Sequence, residues 1–244
     1  METENTMDMA VDVLDSNYPL MTTLREKAPG TYAHGKNVAA LLEALGSELD
    51  LDVPKLKIAG YYHDIGKVVD PKYFSENQTD DEDIHKDLTP RLSYKTIISH
   101  VADTTCILIN DENIPVSVVR WCSQHHGTTV LKYFFVKSKN KNADTYRYPT
   151  KIPSTLEAGL LMLCDCLEAK CRSLYQSDKL VNIEETVDST LNDLMADQQL
   201  DDIELPKLSY LRRMKMVLYR ELGSMYKPKR VDYDKAHEEA EALE

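Results

Sequence analysis

Glycine occupies only 8 of the 244 positions, and between those few points of backbone freedom the apolar residues recur three and four apart. Val38, Leu41, Leu42 and Leu45 follow this spacing, as do Ile183, Val187, Leu191 and Leu194, and Met214, Val217, Leu218 and Leu222. A period near 3.6 residues puts one apolar stripe on a helix, whereas a half-buried strand needs alternation. The chain is therefore expected to be all-α, a helical bundle with a peripheral C-terminal helical extension. No run of about 18 apolar residues exists and the start, METENTMDMA, is acidic. Neither a membrane-spanning segment nor a signal peptide is expected in this chain.

Start and stop signals divide the pattern. Pro29-Gly30 reads as a break and Gly46 as a helix stop. Asp52 and Pro54 read as the cap and first turn of a helix that runs into His63-Asp64. Residues 70–90 are polar and read as a long loop, closed by Thr89-Pro90 at the start of the next helix. A further helix is expected from near Pro115 to Gly127. Residues 128–153 read as irregular, Ser154-Thr-Leu-Glu157 as a capping box opening a helix to about Ser173, and Pro206 as the lead into a last helix.

The formal charge of −12 argues against a long nucleic-acid ligand, whose binding rests on neutralising many phosphates. A small phosphate-bearing substrate is compatible if metal ions supply local positive charge. Cys106, Cys122, Cys164, Cys166 and Cys171 form no CxxC pair and no even framework, so reduced, mostly buried thiols in a cytoplasmic protein are expected.

Six of the seven histidines lie between residues 34 and 126. His63-Asp64 is an adjacent pair in a predicted helix and His125-His126 another at a helix end, while His34, His100 and Asp165 each fall on a separate predicted helix. Helical bundles build metal sites in this way, from side chains projecting inward on facing helices. Two octahedral ions offer about twelve coordination positions, and seven residues with one bridging carboxylate fill about eight. The remainder suits an open catalytic site, and imidazole plus carboxylate without thiolate points to Mn or Fe.

These residues also carry a resemblance. A histidine followed at a distance by His-Asp, by further histidines and by a final aspartate resembles the signature of the HD-domain phosphohydrolase superfamily. The segments NYPLMTTLREKAPGTYAHG (17–35), YYHDIGK (61–67), PKYFSENQ (71–78), LSYKTIISHV (92–101), HHGTTVLKYFF (125–135), LEAGLLMLCDCLEAKCRSL (156–174) and RVDYDK (230–235) are similar to the cytoplasmic HD domain of the PgpH-type seven-transmembrane HD receptors. The resemblance implies a phosphodiesterase that converts cyclic di-AMP to linear pApA with water activated between two divalent ions. It implies that His34, His63, Asp64 and Asp165 hold one ion and that Asp64, His100, His125 and His126 hold the other, with Asp64 bridging. The expected division is a flexible or helical N-terminal segment over 1–16, an HD metal-binding catalytic core over 17–175, C-terminal helices packed on it over 176–235, and a charged tail over 236–244. The segment 81–85, Asp-Glu-Asp-Ile-His, is more acidic than that family's Asn-Pro-His-Asp.

Around this set, Lys67 is three residues beyond Asp64 and is expected to assist electrostatically. Arg172, two helical turns beyond Asp165, is expected to reach a phosphate or else to pair with Glu168. Asn77, Lys132 and Tyr133 are candidate substrate contacts, the tyrosine by stacking on a base. Three rival readings differ in what they need. A mononuclear nucleotidase leaves His100, His125 and His126 without a task. An HD-GYP cyclic di-GMP enzyme needs a Gly-Tyr-Pro element where Gly127-Thr-Thr stands. A non-catalytic cyclic-dinucleotide sensor needs no complete ligand set. Oligomeric state is not legible from the chain.

Overall fold

The structure is a computed structural model that describes residues 13–78 and 84–227. Nine α-helices are described: α1 (Pro19–Lys27), α2 (Pro29–Leu49), α3 (Val53–Tyr62), α4 (Pro90–Ile109), α5 (Val116–Gln124), α6 (Lys132–Ser138), α7 (Leu156–Gln176), α8 (Ile183–Ala196) and α9 (Leu208–Met225). Among the described residues there is no strand beyond a single antiparallel bridge, Val130 to Arg147. The expectations for residues 1–12, for 79–83, for RVDYDK and for the tail lie outside the described residues.

Local chemistry sets the helix starts. The Asp52 side chain accepts from Lys55 N at 3.2 Å and Pro54 stands in the first turn, while Thr89 accepts from Leu92 N at 3.3 Å with Pro90 opening α4. Helix α8 is capped by Asn182, followed by Glu184 and Glu185, which complement the positive end of the helix. Its Ile183, Val187, Leu191 and Leu194 are all buried, as their spacing predicts.

Helices α2, α3, α5 and α7 enclose the main core, where Leu41, Leu42, Leu45, Leu56, Leu161 and Leu167 are fully buried. Helices α8 and α9 close one flank, α8 packing on α7, and α9 on α2 and α8. Helices α2 and α3 approach each other closely. A Cβ on Gly60 would lie 2.4 Å from Ala39 Cα and 2.6 Å from Ala39 N, so the two backbones meet with no side chain between them. Gly60→Ala is expected to destabilise the fold by at least about 1–3 kcal/mol, the usual cost of overpacking, because only a helix shift can relieve the clash. The urea midpoint reads this directly, and an unchanged midpoint would contradict the packing described.

Several boundaries differ from expectation. The break falls at Ala28 alone, and Pro29 is the first residue of α2, a place where its missing N–H costs nothing. Helix α2 runs past Gly46 to Leu49 and ends where Asp50 takes the left-handed conformation (φ 57°). The stretch 128–153 contains α6 and a 3₁₀ turn at Ala143–Tyr146, folded around the buried trio Tyr94, Phe134 and Tyr146. Thr155, not Ser154, caps α7, because Ser154 N and Oγ are both held by Gln124 Oε1. Helix α7 extends to Gln176. Of the cysteines, Cys122, Cys164 and Cys171 are buried, Cys166 partly so, and Cys106 is exposed.

Candidate metal centre

Five helices and one tight turn bring the titratable side chains together. His34 projects from α2 and Asp165 from α7. His63 ends α3, and Asp64 follows it just before a 3₁₀ turn, Ile65–Val68. That turn lies against α4, where a Cβ on Gly66 would be 2.2 Å from His100 O, and Gly66 N donates to Thr104 Oγ1 at 2.9 Å. Only glycine permits this contact, and it fixes the distance between Asp64 and His100. His125 and His126 end α5.

Asp64 is the centre of the arrangement. Its Oδ1 lies 3.2 Å from His100 Nε2 and 3.5 Å from His125 Nε2, and its Oδ2 lies 3.4 Å from His63 Nε2 and 3.9 Å from His34 Nε2. Asp165 Oδ1 is 3.0 Å from His34 Nε2 and 3.8 Å from His63 Nε2, and its Oδ2 is 3.6 Å from His126 Nδ1. The seven side chains thus form two groups that share Asp64. One is His34, His63, Asp64 and Asp165; the other is Asp64, His100, His125 and His126. Within each group the ligand atoms lie within 4.8 Å of one another.

The donor chemistry suits metal ions. His63, His100 and His125 donate from Nδ1 to the carbonyls of Gly60, Ile97 and Cys122. A neutral imidazole has one N–H, so in the neutral form that metal requires each of these rings presents an Nε2 lone pair to the space around Asp64. Those three Nε2 atoms and Asp64 Oδ1 are buried and without a hydrogen-bond partner. Leaving four such atoms unsatisfied is costly, and cations accepting them, one in each group, would remove the cost.

Electrostatics distinguishes the two groups. Burial opposes ionisation of Asp64, but Lys67, His63, His100 and His125 outweigh it and hold the carboxyl well below its ordinary range. Asp165 is lowered in the same way, against burial, by His34 and His63. Burial also opposes charge on His34 and His63, but their carboxylate neighbours prevail and raise both. His125 and His126 go the other way, lowered by burial that their carboxylates only partly offset.

Four of the seven, His34, His100, His126 and Asp165, line a cavity of about 890 Å³ whose wall also includes Lys67, Phe74, Tyr148 and Arg172. Lys67 Nζ is 2.7 Å from Asp64 Oδ2 and 2.6 Å from Glu76 Oε1, and Arg172 Nε is 3.3 Å from Glu168 Oε2. Asn77 does not line this cavity: its Oδ1 accepts from Gly30 N at 2.9 Å and Thr31 N at 3.1 Å, and its Nδ2 donates to Thr31 Oγ1. The amide is thereby used to cap α2. Lys132 is exposed and outside the cavity. Tyr133 lines a neighbouring recess of about 450 Å³ that shares Phe74, Glu76 and Gln78 with the main cavity. Sequence reasoning missed Glu76, Tyr148 and the part played by Glu168. For Glu168 a signal existed, since three residues after Asp165 is the same helix face.

A family model for the HD domain matches residues 31–170. The chain is 35% identical over 213 residues to the cyclic-di-AMP phosphodiesterase PgpH of Listeria monocytogenes, covering 85% of this chain and 29% of that protein. It is 34% identical over 199 residues to PgpH of Bacillus subtilis, covering 80% of this chain and 28% of that one. The chain spans under a third of the length of these curated relatives. Among solved structures, the crystal structure of the L. monocytogenes PgpH HD domain superposes with a TM-score of 0.78 at 33% identity, covering 86% of this chain and 100% of that one. The same domain in complex with cyclic di-AMP gives 0.79 at 32% identity, covering 87% and 100%.

Proposed function

The chain belongs to the HD domain family, and from that premise we propose that it is a metal-dependent phosphodiesterase that hydrolyses cyclic di-AMP to pApA. The observation that carries the reading is the buried, unpartnered set of His63, His100 and His125 Nε2 around one shared carboxylate, next to a cavity lined by His34, His100, His126 and Asp165. The cavity volume falls within the range of small-molecule sites. The choice of base rests on the relatives, whose printed names carry cyclic di-AMP.

In this reading two divalent ions, Mn or Fe, are held by His34, His63, Asp64 and Asp165 and by Asp64, His100, His125 and His126. When bound, such ions polarise a phosphodiester and bring the pKa of water toward neutrality. The chain's own residues hold the geometry. Asp64 is shared between the groups, and Lys67 holds it in place while keeping a cation at the cavity wall. Two ion pairs already occupy Lys67, so orienting Asp64 is the larger part of its task. Arg172 faces the cavity from its pairing with Glu168, with further N–H donors suited to phosphate oxygens.

The test is elemental analysis after loading with Mn²⁺ or Fe²⁺, combined with hydrolysis of a panel of cyclic dinucleotides in substrate excess. The expected result is close to two ions per chain and turnover of cyclic di-AMP in preference to cyclic di-GMP. A stable value of one ion in fully active protein removes the dinuclear part. Equal or better turnover of cyclic di-GMP removes the assigned base. Binding without turnover makes the chain a sensor.

The opposed histidine shifts give a pH prediction. An ion binding His34 and His63 must displace protons held by their raised pKa values, whereas His125 and His126 are already neutral. Metal requires the neutral imidazole, so affinity at the first group falls as pH falls, beginning at higher pH than at the second. Between about pH 8 and 6, an interval around the ordinary histidine pKa, calorimetry should resolve one ion that weakens steeply and releases protons and one that changes little. Equal slopes for the two ions would contradict the assignment.

A further inference from the structure

Glu168 is fully buried on α7, one turn beyond Asp165, and is in neither ligand group. A buried carboxylate is tolerated only when paired and hydrogen-bonded, and Glu168 has four partners. Its Oε1 accepts from Tyr226 OH at 2.6 Å and from Asn37 Nδ2 at 3.0 Å. Its Oε2 meets Arg172 Nε and the Nδ1 of His34. The two donors on Oε1 fix the carboxylate so that Oε2 faces the imidazole.

His34 thus has its Nδ1–H directed at Glu168, while its Nε2, 3.0 Å from Asp165 Oδ1 and 3.9 Å from Asp64 Oδ2, is the atom that would be left with a lone pair for an ion once its proton is displaced. In His63, His100 and His125 the same N–H is held by a neutral backbone carbonyl. Among these four rings His34 alone has a full negative charge behind it. A carboxylate in that position fixes the tautomer and strengthens the imidazole as a ligand more than a carbonyl does. Tyr226 lies 58 residues away in sequence, immediately after α9, a helix that packs on α2.

We propose that Glu168 is a positioning residue that orients His34 and strengthens it as a ligand, and that Tyr226 ties the C-terminal helix to that task. The inference rests on the reading of the His34 group as a metal site. Its consequence is that the C-terminal helix sets the affinity of one ion of the pair, although no residue of that helix is itself a ligand.

The test titrates Mn²⁺ into the metal-free full chain and into Glu168→Ala, Glu168→Gln and Tyr226→Phe, following each binding step by calorimetry beside helical circular dichroism. Glu168→Ala should weaken one ion about 10- to 100-fold, the range for loss of such a partner, and leave the other near its wild-type affinity. Glu168→Gln retains an oxygen acceptor for His34 and should recover part of the loss. Tyr226→Phe should weaken the same ion by a smaller factor at unchanged helical content. Equal weakening of both ions, or no rescue by glutamine, would assign Glu168 a merely structural role and overturn the proposal. Should Glu168→Ala not fold, Tyr226→Phe decides, and wild-type affinity for both ions there would overturn it as well. A wild-type chain that binds no Mn²⁺ would instead remove the underlying metal reading, which separates that failure from this one.

Discussion

Asp64→Asn is expected to empty both metal positions and to lower turnover at least about 10³-fold, since without bound metal the pKa of water stays near 15.7 instead of approaching 7. Both oxygens of this carboxylate are committed: Oδ1 faces His100 and His125, while Oδ2 faces His63, His34 and the Lys67 ammonium. Asparagine keeps the shape but removes the charge, and it directs an N–H₂ at either histidine lone pairs or Lys67. Neither group can compensate, because Asp64 is the residue they share. The aliphatic core contains no part of this contact, so helical content should persist. Metal content, circular dichroism and turnover on one preparation decide the matter. Folded Asp64→Asn that retains two tightly bound ions would refute the shared role.

His126→Ala is expected to behave differently, reducing bound metal toward one ion per chain while lowering turnover at least about 10²-fold, the upper end of the loss caused by removing only a ligand's outer partner. His126 belongs to a single group, and its removal leaves His34, His63, Asp64 and Asp165 in place. Its side chain keeps 20% exposure and packs on the Tyr148 ring at a centroid distance of 4.3 Å. Truncation therefore opens the cavity wall instead of burying a void, and the fold should be little affected. The same measurements apply. Loss of both ions from this variant, alongside their retention in Asp64→Asn, would reverse the assignment of the shared ligand.

The difference between what the sequence makes legible and what it conceals follows the range of the interactions involved. Asp52 with Pro54 and Thr89 with Pro90 are read correctly because the caps act on amides three residues away. The inward face of α8 is read from its own spacing. The convergence of the seven titratable residues is legible for another reason. Adjacent His-Asp and His-His pairs, with single residues on other predicted helices, suggest a metal site built from facing helices, and the resemblance to the HD-domain signature implies which seven residues form it. Ser154 is misread because Gln124, 30 residues earlier, holds it. The capping role of Asn77 is hidden because its partners, Gly30 and Thr31, lie 47 and 46 residues earlier. Helix α6 is too short at seven residues to display a period, and it is held by Tyr94 and Tyr146, which are remote in sequence. Glu168 reads as an i+4 partner of Arg172, and nothing local announces Tyr226 or the ring of His34.

The capping of α2 by Asn77 also bears on hydrogen exchange. First-turn amides of a helix have no acceptor inside the helix, and those of Gly30 and Thr31 end on one side-chain oxygen from the far side of the cavity rim. Their protection from deuterium is therefore independent of whether α2 stays wound. It measures how often the segment around Ser75–Asn77 lifts away from the helix, a local opening that leaves the rest of α2 protected. Two backbone protons thus give a clock for the parting of the rim. It can be read in the resting protein and again with ligand present, without a label near the site.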